Sequence, residues 1–319
     1  MKEKKILLTG AAGFIGFHLC RKILECGHTV IGIDILNNYY DPKLKEDRLS
    51  LILPETNFHF HKCDITDISE MTKIFAKERP EIIIHLAAQA GVRYSLENPF
   101  AYEHSNGAGF LTMIELSRRF DVENFLYASS SSVYGIGNKV PYSVSDPVEK
   151  PISFYAATKR ANELTAHVYH HLYGLPVTGF RFFTVYGPWG RPDMAYYKFV
   201  KAIIEGKAIT VYNQGNMKRD FTYVDDIVAG LYTAIDKPFP YQIFNLGNHR
   251  SENLLDMIQI IEDLLGQKAI INWEPMQPGD VYETYADIQK TQEILNFRPT
   301  TNLREGLEKF VQWYLEYNK

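Results

Sequence analysis

Continuous apolar runs alternate with stretches of helical periodicity through the first 183 residues. Ile6-Leu7-Leu8 predicts a strand and Phe14 to Glu25 a helix. Thr29 to Ile33 predicts a second strand, ending at Asp34. Phe58 to Cys63 and Ile82 to His85 predict two more, with a helix from Ile68 to Lys77 between them. Then come a long helix from Phe100 to Phe120, a strand from Asn124 to Ala128, a second long helix from Tyr155 to Tyr173 and a strand from Val177 to Phe183. Strands this apolar belong in a sheet covered on both faces, and their alternation with helices makes that sheet parallel. Right-handed crossovers then give a doubly wound α/β fold.

The pattern changes after Thr184. Tyr186 to Asp193 is turn-rich, short elements follow, and Asn213-Gln214-Gly215-Asn216 reads as a loop. Ile243 to Leu246 predicts one more strand, and Asn253–Leu265 and Leu303–Tyr317 predict helices. Residues 1–183 are therefore expected to form one doubly wound domain, with segments at about 217–247 returning to it. Residues 184–319 are expected to form mainly a smaller, interleaved α/β substrate lobe.

Composition narrows the partners. Among 319 residues, 34 Lys and Arg face 38 Asp and Glu, a net charge of −4, which suits neither a nucleic-acid surface nor an anionic membrane. No apolar run is long enough to span a bilayer, and no signal-like core precedes the first strand. The three cysteines, Cys20, Cys26 and Cys63, lack metal-site spacing. Reduced thiols in a cytoplasmic protein are the simplest expectation. His59, His61 and Cys63 share one strand face, but no fourth ligand is apparent, so no metal is expected.

Two motifs carry chemistry. Gly10, Gly13 and Gly16 lie in a turn that follows a strand and opens a helix, and Asp34 ends the next strand. Together these predict a Rossmann-type dinucleotide site: close backbone approach at the glycines, pyrophosphate at the helix N-terminus, ribose on Asp34. A carboxylate there repels a 2′-phosphate, favouring NAD over NADP. Asp64-Ile65 ends the third strand, where Asp64 suits either the adenine amino group or a helix cap. The small residues of Leu86-Ala87-Ala88-Gln89-Ala90-Gly91 let the backbone pass close to a ribose and nicotinamide.

The second motif is Tyr155 and Lys159, one helical turn apart and on one face. Upstream by about 25 residues runs Ser129-Ser130-Ser131-Ser132. A phenol with its usual pKa near 10 is a poor base at neutral pH. Lowering it by three units takes roughly 4 kcal/mol, which a lysine ammonium and a nicotinamide cation together supply. The pair reads as a base that takes a proton from an alcohol while hydride leaves the same carbon.

The glycine turn with Phe14 and Ile15, Leu86-Ala87-Ala88, Asn106, the Ser-Ser-Ser-Val-Tyr-Gly segment and Tyr155/Lys159 resemble the extended short-chain dehydrogenase/reductase superfamily, and within it the nucleotide-sugar epimerases. The segments Leu36 to Lys45, which includes Asn37, and Gly190 to Ala195 are similar to those of UDP-glucuronate 4-epimerases. The resemblance implies that Tyr155 is the base, that Lys159 supports it and binds the nicotinamide ribose, and that Ser130 bonds the sugar 4-hydroxyl. Ser131 and Ser132 then line the sugar site, Arg219 meets the UDP diphosphate, Tyr212 the uracil and Asp280 the UDP ribose. Some epimerases carry an arginine just before that Gly-Asp pair; here Met276-Gln277-Pro278 stands there. The resemblance also implies a homodimer through helices at about 100–120 and 155–173. Their apolar positions Phe110, Leu111, Ile114, Leu164, Val168 and Leu172 suit the sheet equally well.

Related dehydratases and decarboxylases are expected to carry an acidic residue beside the serine or threonine. Here that stretch is all serine, which removes the acid and base for eliminating water and leaves C4 epimerisation. Arg191 and Thr184 point to a uronate, because a guanidinium fork suits a carboxylate; a brace to Asp193 is the plainer use of Arg191. Three readings follow: interconversion of UDP-glucuronate and UDP-galacturonate with NAD recycled, a UDP-glucose or UDP-N-acetylhexosamine 4-epimerase that does not need Arg191, and a non-catalytic NAD-binding protein.

Overall fold

The computed structural model describes residues 2–277 and 279–319. Seven strands form one sheet: β1 Lys5–Thr9, β2 Thr29–Asp34, β3 Phe58–Lys62, β4 Ile82–His85, β5 Asn124–Ser130, β6 Val177–Phe182 and β7 Tyr241–Leu246. Their order is β3-β2-β1-β4-β5-β6-β7, and every neighbouring pair is parallel. Leu7 lies opposite Ile31 on one side and Ile83 on the other. Successive side chains of a strand point to opposite faces. In β1, Ile6 and Leu8 accordingly enter one apolar core and Leu7 the other. The order reverses between β1 and β4, so connections leave on opposite faces there and a crevice opens at the carboxyl ends of the strands.

Helices Phe14–Glu25 and Leu303–Tyr317 have the predicted ends. The Tyr155 helix begins at Phe154 because the Ser153 side chain caps it, accepting from the Ala156 N–H. The segment expected as one helix from Phe100 to Phe120 differs. It runs as Pro99–Tyr102, a wide π-helical turn over Glu103–Ala108, and Gly109–Arg119. The wide turn brings Asn106 against the loop after β4, where its amide accepts from the Gln89 N–H and donates to the Gln89 carbonyl, at 2.9 and 3.0 Å. At Gly109 a Cβ would stand 2.5 Å from Ile65 Cδ1, so a side chain there would have to displace Ile65. Of the apolar positions on these two long helices, Phe110 and Ile114 are buried, whereas Leu111, Leu164, Val168 and Leu172 are exposed.

Helix Pro42–Ser50 was not anticipated from periodicity. Its N-terminus is nevertheless written locally: Asp41 accepts from the Lys43 N–H, and Pro42 sits in the first turn. Beyond Thr184 the chain contains helices Ala195–Ile204 and Val224–Ala234 where only short elements were foreseen. Val224–Ala234 packs on Phe14–Glu25, and β7 pairs with β6. Strands Ala208–Tyr212 and Ile270–Glu274 form a separate parallel pair beside helix Ala195–Ile204, on which helix Leu254–Leu265 packs. Pro278 lies outside the described residues.

Candidate active site

A cleft of about 460 Å³ runs across the carboxyl ends of the strands, from Gly10, Asp34 and Asp64 to Ser130, Tyr155 and Arg191. At one end, β1 turns at Gly10, whose φ of +74° suits glycine. A Cβ there would come 2.9 Å from the Ala87 nitrogen, and one on Gly16 would come 2.0 Å from the Gly10 carbonyl oxygen. Gly13 caps the helix with no side-chain bond, so the first-turn amides of Phe14 and Ile15 remain for an anion. Asp34 accepts from the Ala12 and Leu36 N–H groups through different oxygens, which fixes its carboxylate at the cleft edge. Asp64 accepts from the backbone and hydroxyl of Thr66, and His104 Nε2 lies 2.9 Å from its other oxygen. Leu86, Ala87, Ala88 and Gln89 form the floor, and Gln89 Nε2 is buried with no hydrogen-bond partner among the described residues. These features fit a bound dinucleotide: an uncapped helix end for its phosphates, a carboxylate for its ribose and a floor of small residues for close approach.

Asn106, expected at the cofactor, sits behind the wall. It is almost fully buried, and its amide is committed to Gln89 and Thr158. Its part is to hold the Gln89 loop against the Tyr155 helix. Asn37 reaches the cleft, but its side-chain oxygen takes the Lys45 ammonium at 2.6 Å. Lys45, Tyr39 and Tyr40 also line the cleft, and sequence reasoning did not place them there. They arrive through helix Pro42–Ser50 and the loop before it, which Arg48 anchors from beneath by donating to the carbonyls of Ala12 and Trp189.

At the other end, Tyr155, Lys159 and Ser130 come together as expected. Burial raises the Tyr155 pKa, and the Ser130 hydroxyl and the Arg191 charge pull it back down. Lys159 donates to the Ala128 carbonyl at 2.9 Å, and burial lowers its pKa to about 8. The four serines separate in role. Ser129 donates to Glu163 at 2.7 Å, and Glu163 also receives Arg181 and Arg160 in a buried ionic cluster. Ser130 faces the cleft and accepts from the Ser132 N–H at 3.1 Å. Ser131 and Ser132 fall in the helical turn Ser131–Tyr134, outside the lining of the cleft, although Ser132 Oγ accepts from the Ser130 hydroxyl at 3.1 Å.

Arg191 faces the same cleft, but its fork is engaged. Nε lies 2.9 Å from Asp193 Oδ1, and Nη2 binds Oδ2. The brace to Asp193 is therefore the arrangement present. Thr184 starts the short strand Thr184–Tyr186 and does not line the cleft, although its neighbours Phe183 and Val185 do.

Tyr212, Arg219 and Asp280 form a second group outside this lining. A residue that sequence reasoning missed joins them. Arg93 lies 3.1 Å from Asp280, with its guanidinium 4.4 Å from the Tyr212 ring centroid. Arg219 donates to the carbonyls of Lys218 and Tyr282, and both Asp280 and Arg93 act on its charge. Arg93 thus puts a second cation where Met276 and Gln277 do not. Only tertiary contact reveals this, since 187 positions separate Arg93 from Asp280. His59 and His61, on the strand face where no metal was expected, meet Glu78 at 3.3 and 3.1 Å.

Residues 6–247 match the family described as NAD dependent epimerase/dehydratase. The chain is 51% identical to Protein CapI of Staphylococcus aureus, over 99% of each. It is 46% identical to UDP-glucuronate 4-epimerase 4 of Arabidopsis thaliana, over 98% of this chain and 75% of the relative. The crystal structure of UDP-glucuronic acid 4-epimerase from Bacillus cereus, in complex with UDP-glucuronic acid and NAD, superposes with a TM-score of 0.93 at 33% identity, covering 98% of this chain and 99% of that one. With the glycine turn and the Tyr-Lys pair opening onto one cleft, the chain belongs to the NAD dependent epimerase/dehydratase family.

Proposed function

We propose that this protein interconverts UDP-glucuronate and UDP-galacturonate by oxidation and reduction at C4. The reading rests on one observation above others: the glycine turn, the Tyr155–Lys159–Ser130 group and Arg191 all open onto one cleft. It is supported by relatives that act on UDP-glucuronate. In this reading Tyr155 takes the proton of the sugar 4-hydroxyl, which Ser130 holds by a hydrogen bond. Lys159 supplies positive charge one helical turn away. Bound NAD supplies a hydride acceptor at C4 and returns the hydride to the ring. The all-serine run leaves no acid for expelling water, so the ketone is reduced and not dehydrated. Residues 1–183, with segments at about 217–247, serve the cofactor. Residues 184–319 mainly serve the UDP-sugar, with Arg219, Arg93, Tyr212 and Asp280 at the nucleotide end.

The neutral-sugar reading keeps one observation in its favour: the Arg191 fork is occupied by Asp193. Incubating the purified protein separately with UDP-glucuronate, UDP-glucose and UDP-N-acetylglucosamine, and resolving C4 epimers, decides between them. Preferential conversion of UDP-glucuronate is expected; preference for either neutral sugar rejects the uronate assignment.

Recycling within each turnover favours retention of the cofactor. The purified protein is expected to release close to one NAD per chain when denatured, and to turn over with none added. A cofactor-free sample that consumes stoichiometric NAD would mark a net dehydrogenase instead.

The exposed Leu111, Leu164, Val168 and Leu172 support a homodimer through the two long helices. A dimeric mass at micromolar concentration is expected, and the Leu164→Asp/Leu172→Asp variant should run as a monomer. A monomeric wild type rejects the dimer. No described helix is long and apolar enough to cross a membrane. A cytoplasmic enzyme that supplies UDP-galacturonate for polysaccharide synthesis completes the proposal.

A further inference from the structure

Asp193 is a carboxylate placed where a uronate carboxylate is expected. It holds Arg191 by two bonds, and the Tyr39 hydroxyl donates to the same Oδ2 from 3.3 Å away. Nη1 of Arg191 is the one guanidinium nitrogen with no protein partner among the described residues. Tyr39 belongs to the segment Leu36 to Lys45, so that segment reaches the sugar end of the cleft as well as the cofactor end. Gly91 makes room for this group: a Cβ there would lie 3.1 Å from the Tyr39 hydroxyl and 3.8 Å from Arg191 Nη2. Burial disfavours the Arg191 charge, and Asp193 more than offsets it, so the pair stays ionised and neutral overall.

We infer that Asp193 is a specificity-determining residue that competes with the substrate carboxylate for Arg191 and so limits the grip on the uronate. The inference rests on the uronate reading above. Its physical reason lies in the reaction. The hydride leaves one face of C4 and must return to the other, while the cofactor site is fixed by the sheet. The ketone ring therefore has to turn within the cleft. A carboxylate locked in a two-point fork would resist turning. A single Nη1 contact, beside an acid that takes the arginine back, lets the carboxylate leave and rebind. A grip equally strong on substrate, ketone and product lowers KM without raising kcat.

The test compares wild type, Asp193→Asn and Tyr39→Phe by calorimetric titration with UDP-glucuronate and UDP-glucose, and by kcat on UDP-glucuronate. Asp193→Asn frees the fork and leaves the pair positive. It should bind UDP-glucuronate roughly tenfold tighter, the worth of about one charge-assisted hydrogen bond. UDP-glucose binding should change by less than about twofold, and kcat should fall about tenfold. Tyr39→Phe removes the rival donor and tightens Asp193 on Arg191, so UDP-glucuronate should bind about twofold more weakly, the opposite sign. An unchanged ratio of the two affinities in Asp193→Asn overturns the inference, as does equal weakening of both sugars by both variants, which marks a merely structural brace. Should Asp193→Asn fail to fold, Tyr39→Phe decides, and unchanged or tighter UDP-glucuronate binding overturns it. A wild type that binds UDP-glucuronate but never epimerises it overturns the uronate reading together with this one; normal wild-type epimerisation with an unchanged ratio removes this inference alone.

Discussion

Tyr155→Phe is expected to yield a folded, NAD-loaded protein whose epimerisation of UDP-glucuronate is about a thousandfold slower, within the range for loss of a positioned acid–base group. The substitution removes one oxygen. The ring stays packed edge-on to Tyr102, with centroids 5.9 Å apart, and the Ser153 cap that starts the helix is untouched. Fold and cofactor content should therefore survive, as read by thermal melting and by NAD released on denaturation. The oxygen matters because it is the atom that takes the proton of the 4-hydroxyl, in a cleft that disfavours its ionisation. Burial raises its pKa, Ser130 and Arg191 only partly offset that, and Lys159 carries its charge nearby with a pKa lowered to about 8. A phenylalanine cannot take the proton at all. Near-normal turnover in this variant would end the tyrosinate assignment, whatever the fate of the others.

Arg191→Ala is expected to lose most epimerase activity on UDP-glucuronate and to release more carbon dioxide per epimer formed. Oxidation at C4 of a uronic acid creates a β-keto acid, since the carboxylate hangs from C5. Such acids lose carbon dioxide when the bond to C6 aligns with the ketone. A charge-assisted contact of roughly 1.5–3 kcal/mol holds the carboxylate out of that alignment before and after the ring turns, and recaptures it when it lets go. The single variant also strands Asp193, a partly buried carboxylate beside Tyr39, and breaking such a pair from one side costs stability. The double variant Arg191→Ala/Asp193→Ala separates the two effects. It should recover stability while keeping both the low activity and the raised carbon-dioxide yield. Wild-type epimerisation with no added decarboxylation in either variant would show that Arg191 does not hold the carboxylate, and the neutral-sugar reading would gain.

How much was readable in advance follows from how local each signal is. β1, the glycine turn and helix Phe14–Glu25 are written in contiguous residues, because a buried parallel strand, a tight turn and an amphipathic helix each have their own period. The Tyr155–Lys159 spacing is likewise a property of one helix. Helix Pro42–Ser50 is mostly polar, so periodicity missed it; its Asp41-Pro42 start was the only available sign. The wide turn at Glu103–Ala108 depends on Ile65 and Gln89, which lie far off in sequence. Arg93 beside Asp280 and Tyr212 is tertiary in the same way. Asp193 is the instructive case. Its brace to Arg191 was visible as an alternative two residues away, yet the choice between bracing and ligand binding depends on Tyr39, Gly91 and the depth of the cleft.

The central claim is that C4 is oxidised and then reduced within a single closed site. UDP-glucuronate carrying deuterium at C4, incubated with the purified protein in ordinary water with no cofactor added, tests it most directly. The account predicts UDP-galacturonate that keeps its deuterium at C4, approaching the same mixture that unlabelled UDP-galacturonate reaches from the other side. Deuterium lost to solvent, or no C4 epimer at all, would contradict it.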